Sequence, residues 1–434
     1  MRFSLHDRQI LNLAIPAIVS NITVPLLGLV DLAIVGHIGN ETLIGAIAIG
    51  SMIFNVIYWV FGFLRMGTSG LTAQALGRGD ALAIRSLLAQ SLMIGFSIAF
   101  VFIVFQIPIR WIAITVMHPS ADIIPHVCSY FNICIYGAPA MLGLYGISGW
   151  FIGMQDTRSP MVVSISQNVI NILASFILVF GLGMKIEGVA YGTLIAQWCG
   201  LVMALCLLKG KRGFLQSESV RSYDYSLMSF MSFLKVNRDI FLRTLFLVAV
   251  FLFFTSAGAR QGDMVLSVNT LLMTFFTLFS YFMDGFAFAG EALCGKTFGA
   301  NDRDTFHAIC RRLFGWGCVM VIVFTLAYAV GGLSFLHLLT DKQKVITAAQ
   351  VYFPWVLAIP IVGMAAFVYD GIFIGITATR GMLITCALAS VVFFLLYILL
   401  FPTMGNHALW LALGTYLALR GIFQHLYIRK MVSL

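Results

Sequence analysis

Apolar residues run along this chain in long unbroken blocks separated by short polar joints, with no sustained alternation. Twelve blocks are read, at 9–36, 42–63, 82–108, 125–153, 160–183, 188–208, 238–257, 264–289, 308–331, 349–376, 382–401 and 407–428. Each reaches the roughly 20 residues a helix needs to cross the hydrocarbon of a bilayer. Lipid offers no partners for backbone N–H and C=O groups, so only helices or closed barrels span it. Barrel strands would show roughly ten-residue segments of alternating polarity, which are missing here. The pattern therefore predicts an all-α integral membrane protein of twelve transmembrane helices.

One polar interruption is long. Residues 209–237 (KGKRGFLQSESVRSYDY and the stretch after it) divide the blocks six and six. The expected organisation is an N-terminal six-helix lobe at 1–208, a cytoplasmic linker at 209–237 and a C-terminal six-helix lobe at 238–434. The halves also match at a fixed offset of 222 residues. Gly36 pairs with Gly258, Gly77 with Gly299, Asp80 with Asp302, and Tyr130-Phe131 with Tyr352-Phe353. GWFIGMQDTR (149–158) pairs with GIFIGITATR (371–380), and Gly192-Thr193 with Gly414-Thr415. A duplicated pair of pseudo-symmetric lobes follows. Six is even, so the lobes share one orientation about an axis along the membrane normal, an arrangement that suits alternating access.

Composition agrees: 60% of the 434 residues are apolar and 10% are charged, against roughly a quarter charged in soluble domains. The net charge of +9 is a matter of topology, and no nucleic-acid partner is expected. With both termini cytoplasmic, 21 Lys and Arg lie near cytoplasmic ends. Five lie opposite (Arg110, Lys185, Arg260, Lys342 and Lys344), completing the 26. That bias satisfies the positive-inside rule. Residues 1–9 lead into the first block without a small-residue cleavage site, so no removable signal peptide is expected. The eight cysteines form no C-x-x-C pair, which indicates neither a zinc site nor a disulfide framework. They read as small buried hydrophobes.

Several stretches resemble signature segments of the DinF-like branch of the MATE (multidrug and toxic compound extrusion) family. These are LVDLAIVGHIG (29–39), FLRMGTSGLTAQALGRGD (63–80) and YFMDGFAFAGEALCGKTFGAND (281–302), together with the paired FIG-x-x-x-TR segments. The resemblance covers nearly the whole chain. It implies antiport of proton or sodium against small organic, often cationic, molecules. It also implies a monomer surrounded by lipid in the cytoplasmic (inner) membrane of a bacterium, with no cofactor beyond the coupling ion.

Few acidic residues fall inside the blocks: Asp31, Asp284 and Asp370, with Glu291 near the end of the eighth. A charged side chain at bilayer depth costs about 2.5–3.5 kcal/mol on insertion scales, so each is a functional candidate beside the plainer reading of a structural hydrogen bond. The resemblance implies that Asp31 is the coupling residue, with Asn171 and Thr193 as partners and Asn168 one turn before Asn171. It also places an aspartate where this chain has Ser175. A sodium site wants several oxygens and compensating charge, so the loss of that carboxylate favours proton coupling. Pro16 and Pro25 lie in the first block, where proline removes a backbone hydrogen bond and permits a kink. Pro16 matches the residue around which the family's first helix is thought to bend.

Candidates for the substrate cleft or its gates are Asp284, Glu291, Asp370, Arg260, Met141, Tyr145, Met273, Phe276 and Met283. Soft Met and aromatic surfaces suit promiscuous binding and attract organic cations. Arg65 closes the second block and reads first as a simple cytoplasmic anchor. The rival transporter reading is a lipid-linked oligosaccharide flippase, but its expected cationic cleft is not seen: the first block holds no Lys or Arg between Arg8 and Gly36. An embedded enzyme would need convergent catalytic groups, and no HExxH or phosphate loop is present. A channel or scaffold fits the buried acids and the duplicated lobes less well.

Overall fold

The computed structural model describes the backbone of residues 4–36, 41–211 and 227–432, with side chains omitted at 24–33, 35–36, 41, 227–229 and 431–432. Among the described residues every regular element is helical. The twelve long helices are α1 Leu5–Gly36, α2 Thr42–Arg78, α3 Ala81–Val104, α4 Ile124–Gly153, α5 Arg158–Gly181 and α6 Ile186–Gly210. They continue with α7 Leu227–Arg260, α8 Asp263–Gly299, α9 Arg303–Leu339, α10 Gln343–Gly375, α11 Thr379–Met404 and α12 Asn406–Val432. Helices α2 to α11 are long and apolar enough to cross a membrane. Helix α1 has 32 residues, while α12 has 27 and is diluted by Arg420 and Gln424, which it buries.

Three details depart from the sequence pattern. A short helix, Gln106–Met117, follows α3 where a plain connection was expected; it buries none of its residues and exposes Ile107, Trp111 and Val116. An apolar, Trp-bearing surface of this kind suits the membrane interface. Helices α8 and α9 run to 37 residues each, past their predicted ends, because the polar residues at their junction continue the helices and cap them. Helix α7 also begins earlier than residue 238.

The chain divides into two compact units, Val19–Leu234 and Met1–Ile18 with Lys235–Leu434. The sequence expectation kept residues 1–208 together; instead the first half of α1 packs with the second unit, and specific contacts explain why. Asp7 Oδ1 accepts a hydrogen bond from Trp316 Nε1 at 3.1 Å, and its other oxygen lies 3.5 Å from Arg312. At Gly285 on α8 a Cβ would meet Ile18 Cγ1 at 2.3 Å and the Ala14 carbonyl at 2.9 Å, so only glycine admits α1 this closely.

Within each unit the 222-residue repeat extends to backbone geometry. Asp80 caps α3 by accepting from Ala83 N at 2.9 Å; Asp302 caps α9 by accepting from Thr305 N at 3.0 Å. Left-handed residues recur in register: Gly79 with Asn301, Gln155 with Thr377, Gly183 with Gly405. Helix contacts recur as well. A Cβ on Gly149 would lie 2.3 Å from the Arg65 carbonyl, and one on Gly371 would lie 2.3 Å from the Ala287 carbonyl. The next turn repeats this with Gly153 on Ser69 and Gly375 on Glu291. Small residues that let backbones touch are how apolar helices associate where lipid removes the hydrophobic drive.

Candidate functional site

In the Val19–Leu234 unit a polar seam joins α5 and α6. Asn171 and Ser175 are one turn apart on α5, so both side chains leave one face, and both are buried, at 1% and 0% exposure. Asn171 Nδ2 donates to Thr193 Oγ1 on α6 at 3.0 Å, and Thr193 Oγ1 donates to the Val189 carbonyl at 3.0 Å. Asn168 Nδ2 donates to the Thr23 carbonyl of α1 at 3.2 Å, tying α5 to α1. Gly192 lets α6 close over this face, since a Cβ there would meet Ser175 Oγ at 2.3 Å. Two oxygens remain without a partner among the described residues, Asn171 Oδ1 and Ser175 Oγ. Leaving a buried polar group unpaired costs about 1–3 kcal/mol, so a donor or a cation that reached these two oxygens would be bound favourably. The side chains of Asp31 and Pro25 lie outside the described residues.

The second repeat shows what the same register does without polarity. Residues 222 positions on from Asp31, Asn171 and Ser175 are Phe253, Phe393 and Tyr397. The Phe253 ring packs edge-on against Phe393 at 6.0 Å and Tyr397 at 5.1 Å. Three positions that are acidic or polar in one repeat are thus a packed aromatic cluster in the other.

The Lys235–Leu434 unit has a charged cluster of its own. Asp370 on α10 accepts from Arg243 on α7, from Arg420 on α12 at 2.5 Å and from Gln424 at 2.7 Å. Arg420 also stacks 5.4 Å from the Tyr416 ring. Asp239, one turn before Arg243, bonds Arg238 at 2.9 Å and accepts from Thr379 at 3.4 Å. Two buried guanidiniums, Arg243 and Arg420, thus share the Asp370 carboxylate, while Asp239 pairs with the exposed Arg238. Asp370 is therefore a counter-ion tying α7, α10 and α12 together. Its partners went unnoticed in the sequence, although the i, i+4 spacing of Arg420 and Gln424 inside an apolar block was a usable signal.

The remaining candidates are placed within each unit as follows. Glu291 is buried on α8 at 1% exposure, with its carbonyl against Gly375. Asp284 is half-buried beside Gly285. Phe276 packs on Phe251 and Phe367, Met283 is fully buried and Met273 is half-buried. Met141 and Tyr145 on α4 pack on the apolar cluster around Phe54 and Tyr130, and Arg65 lies close to Tyr145. Arg260 is exposed at the end of α7, near Tyr397. Pro16 is buried on α1, three residues before the chain passes from one unit to the other.

Two internally repeated six-helix halves with a buried polar seam in one of them define a multi-pass membrane carrier. The MatE family pattern matches residues 16–177 and 240–399, so the chain belongs to the MatE family and is an efflux transporter of the multidrug and toxic-compound class. It is 35% identical to DNA damage-inducible protein F of Escherichia coli strain K12, over 96% of this chain and 90% of that protein. It is 25% identical to a probable multidrug resistance protein NorM of Chromobacterium violaceum, over 77% and 71% of the two chains. Among solved structures, a MATE protein in its bent conformation superposes with a TM-score of 0.86 at 19% identity, covering 99% of this chain and 96% of that one. A MOP superfamily transporter from Pyrococcus furiosus gives 0.85 at 18%, covering 98% and 96%. At such identities the superpositions speak for the fold.

Proposed function

We propose that this protein is a proton-driven antiporter that exports small organic, chiefly cationic, compounds across a bacterial inner membrane, with Asp31 as its coupling carboxylate. The observation that carries this reading is the pair of buried oxygens on Asn171 and Ser175 that have no partner among the described residues, in the register that the repeat fills with aromatic rings. A protonated Asp31 supplies the missing donor to such acceptors, while an ionised one supplies none. Proton binding therefore shifts the stability of two arrangements of α1, and an equilibrium moves only by such a difference between its states.

The ties on α1 support its transmitting that shift. Asp7 fastens its start within the Lys235–Leu434 unit, and Thr23 is held by Asn168 within the other. Pro16 stands between those ties, where a missing backbone hydrogen bond makes bending cheap. One chain carries both lobes, which supports action as a monomer, and the charge bias supports cytoplasmic termini.

Sodium is the second reading, because Asn171 Oδ1 and Ser175 Oγ offer oxygen ligands. The test is efflux of a fluorescent organic cation from proteoliposomes under imposed proton or sodium gradients, with Asp31→Asn alongside. Efflux that follows the proton gradient and disappears in the variant supports proton coupling. Efflux that follows sodium alone overturns it.

A further inference from the structure

The α8–α9 hairpin holds a feature that transport does not use. Cys294 and Cys310 are each eight residues from Asp302, one on either side of the turn. An antiparallel hairpin brings such residues face to face, and the two sulfurs lie 3.8 Å apart. All eight cysteines are free thiols. A disulfide needs an S–S separation of about 2.05 Å, so the two sulfurs must close by roughly 2 Å to form the bond. Cys294 is buried and Cys310 is half-buried, so Cys310 is the more exposed of the two. Lys296, His307, Arg311 and Arg312 flank the pair along the two helices. On the α10 and α12 side Tyr369 lies beside Cys310, and its hydroxyl is 2.5 Å from His425 Nδ1.

The fold does not demand sulfur here. At the matching register the first repeat carries Thr72 and Leu88, both buried. The hairpin is thus built equally well without thiols, and the sulfur pair belongs to one repeat only.

We propose that Cys294 and Cys310 form a reversible disulfide when the protein meets a peroxide. The Cys310 sulfur attacks the peroxide O–O bond, forming a sulfenic acid and releasing water or an alcohol. The Cys294 sulfur then attacks the sulfenic sulfur, forming the S–S bond and releasing water. Two thiols lose two electrons and two protons in total, and the peroxide takes up both. A small dithiol reverses the reaction by exchange. Disulfides facing a reducing compartment are typically transient and redox-sensing, and the positive-inside reading puts this hairpin on the cytoplasmic side.

The bond would pin α9 to α8 beside the tie that holds α1. Arg312 follows Cys310 by two residues and, with Trp316, engages Asp7. Transport should therefore slow on oxidation, an effect that rests on the proposed function, whereas the thiol chemistry does not.

The experiment treats purified full-length protein with hydrogen peroxide, alkylates the remaining thiols and maps tryptic peptides without reduction. The expected result is a loss of two of the eight thiols, one cross-linked species joining the Cys294 and Cys310 peptides, and full recovery with dithiothreitol. Cys310→Ser should lose the cross-link and keep the remaining thiols. A variant with the other six cysteines changed to serine should retain the cross-link. Oxidation of Cys310 to sulfinic acid while Cys294 stays a free thiol would overturn the proposal, as would two thiols lost elsewhere in the chain. In proteoliposomes, peroxide should slow efflux several-fold in the parent and not in Cys310→Ser. Equal slowing in both would leave the disulfide standing and sink its link to transport.

Discussion

Alanine at Gly149 or Gly371 probes the repeat where it is tightest. Each glycine faces a carbonyl, of Arg65 or Ala287, at a distance that would put a Cβ 2.3 Å from the oxygen. Real Cβ contacts do not fall below 3.0 Å, so α4 must move from α2, or α10 from α8, by about 0.7 Å or more. Backbone lines both sides of the contact, and no flexible side chain can give way. Overpacking of this sort costs about 1–3 kcal/mol, and alanine's better helix propensity returns up to about 1 kcal/mol. The expected net loss is about 1–2 kcal/mol for either variant, or about 2–8 °C for units of this size. The assay is loss of the monodisperse peak after graded heating in detergent. The two losses should match, because the distances match, and should add in the double variant, because the sites lie in different units. Gly315→Ala is the control, since nothing lies within 4 Å of its Cβ, and it should be neutral or stabilising. If Gly149→Ala and Gly371→Ala behave like the control, the contact argument fails.

Three further outcomes follow from the same geometry. Asp7 lies ahead of the first predicted span, and the Ser4 backbone N–H, with help from its hydroxyl, Trp316 and Arg312, holds its carboxyl below the ordinary 3.8. A lowered folded value means the contribution is present above the unfolded pKa and lost as pH falls through the folded one. The stability gap between parent and Asp7→Asn should hence stay constant from about pH 5 to 8 and narrow below about pH 4; a gap that changes across neutral pH would contradict this. Asp370→Asn strips the counter-charge from two buried guanidiniums and should cost about 3–5 kcal/mol, with partial recovery on adding Arg420→Met. A stable Asp370→Asn with lost transport would instead put Asp370 on the substrate path. Asn171→Leu should abolish ion-driven efflux while leaving the folded protein intact by size exclusion, and wild-type efflux in this variant would remove the seam from the mechanism.

Much of the fold is legible in the sequence because lipid imposes one rule on every span. Block length, charge bias and the 222-residue offset all report it, and the offset extends to matched left-handed residues such as Gln155 and Thr377. The ties across the chain were less visible. Nothing near Asp7 in sequence points to Trp316, so the first half of α1 was assigned to the wrong neighbours. The Arg243–Asp370–Arg420 cluster was missed because its members lie on three helices, and two of them read as ordinary cytoplasmic anchors. The short helix at Gln106–Met117 falls almost wholly in the joint between the third and fourth blocks, where its 12 residues are too few to read as a span. In the polar seam, Asn171 and Thr193 were named through the family resemblance as partners of Asp31, and their bond to each other is visible only in the structure. That Asn171 Oδ1 and Ser175 Oγ have no partner among the described residues is a property of three-dimensional packing alone.

The most direct test of the central claim counts protons. In proteoliposomes, internal pH and efflux of one organic cation are followed together for the parent and Asp31→Asn. Because the repeat replaces the second equivalent seam with Phe253, Phe393 and Tyr397, the account predicts one proton taken up per transport cycle through Asp31, and none in the variant. Proton-coupled efflux that persists in Asp31→Asn, or coupling to two protons per cycle in the parent, would contradict it.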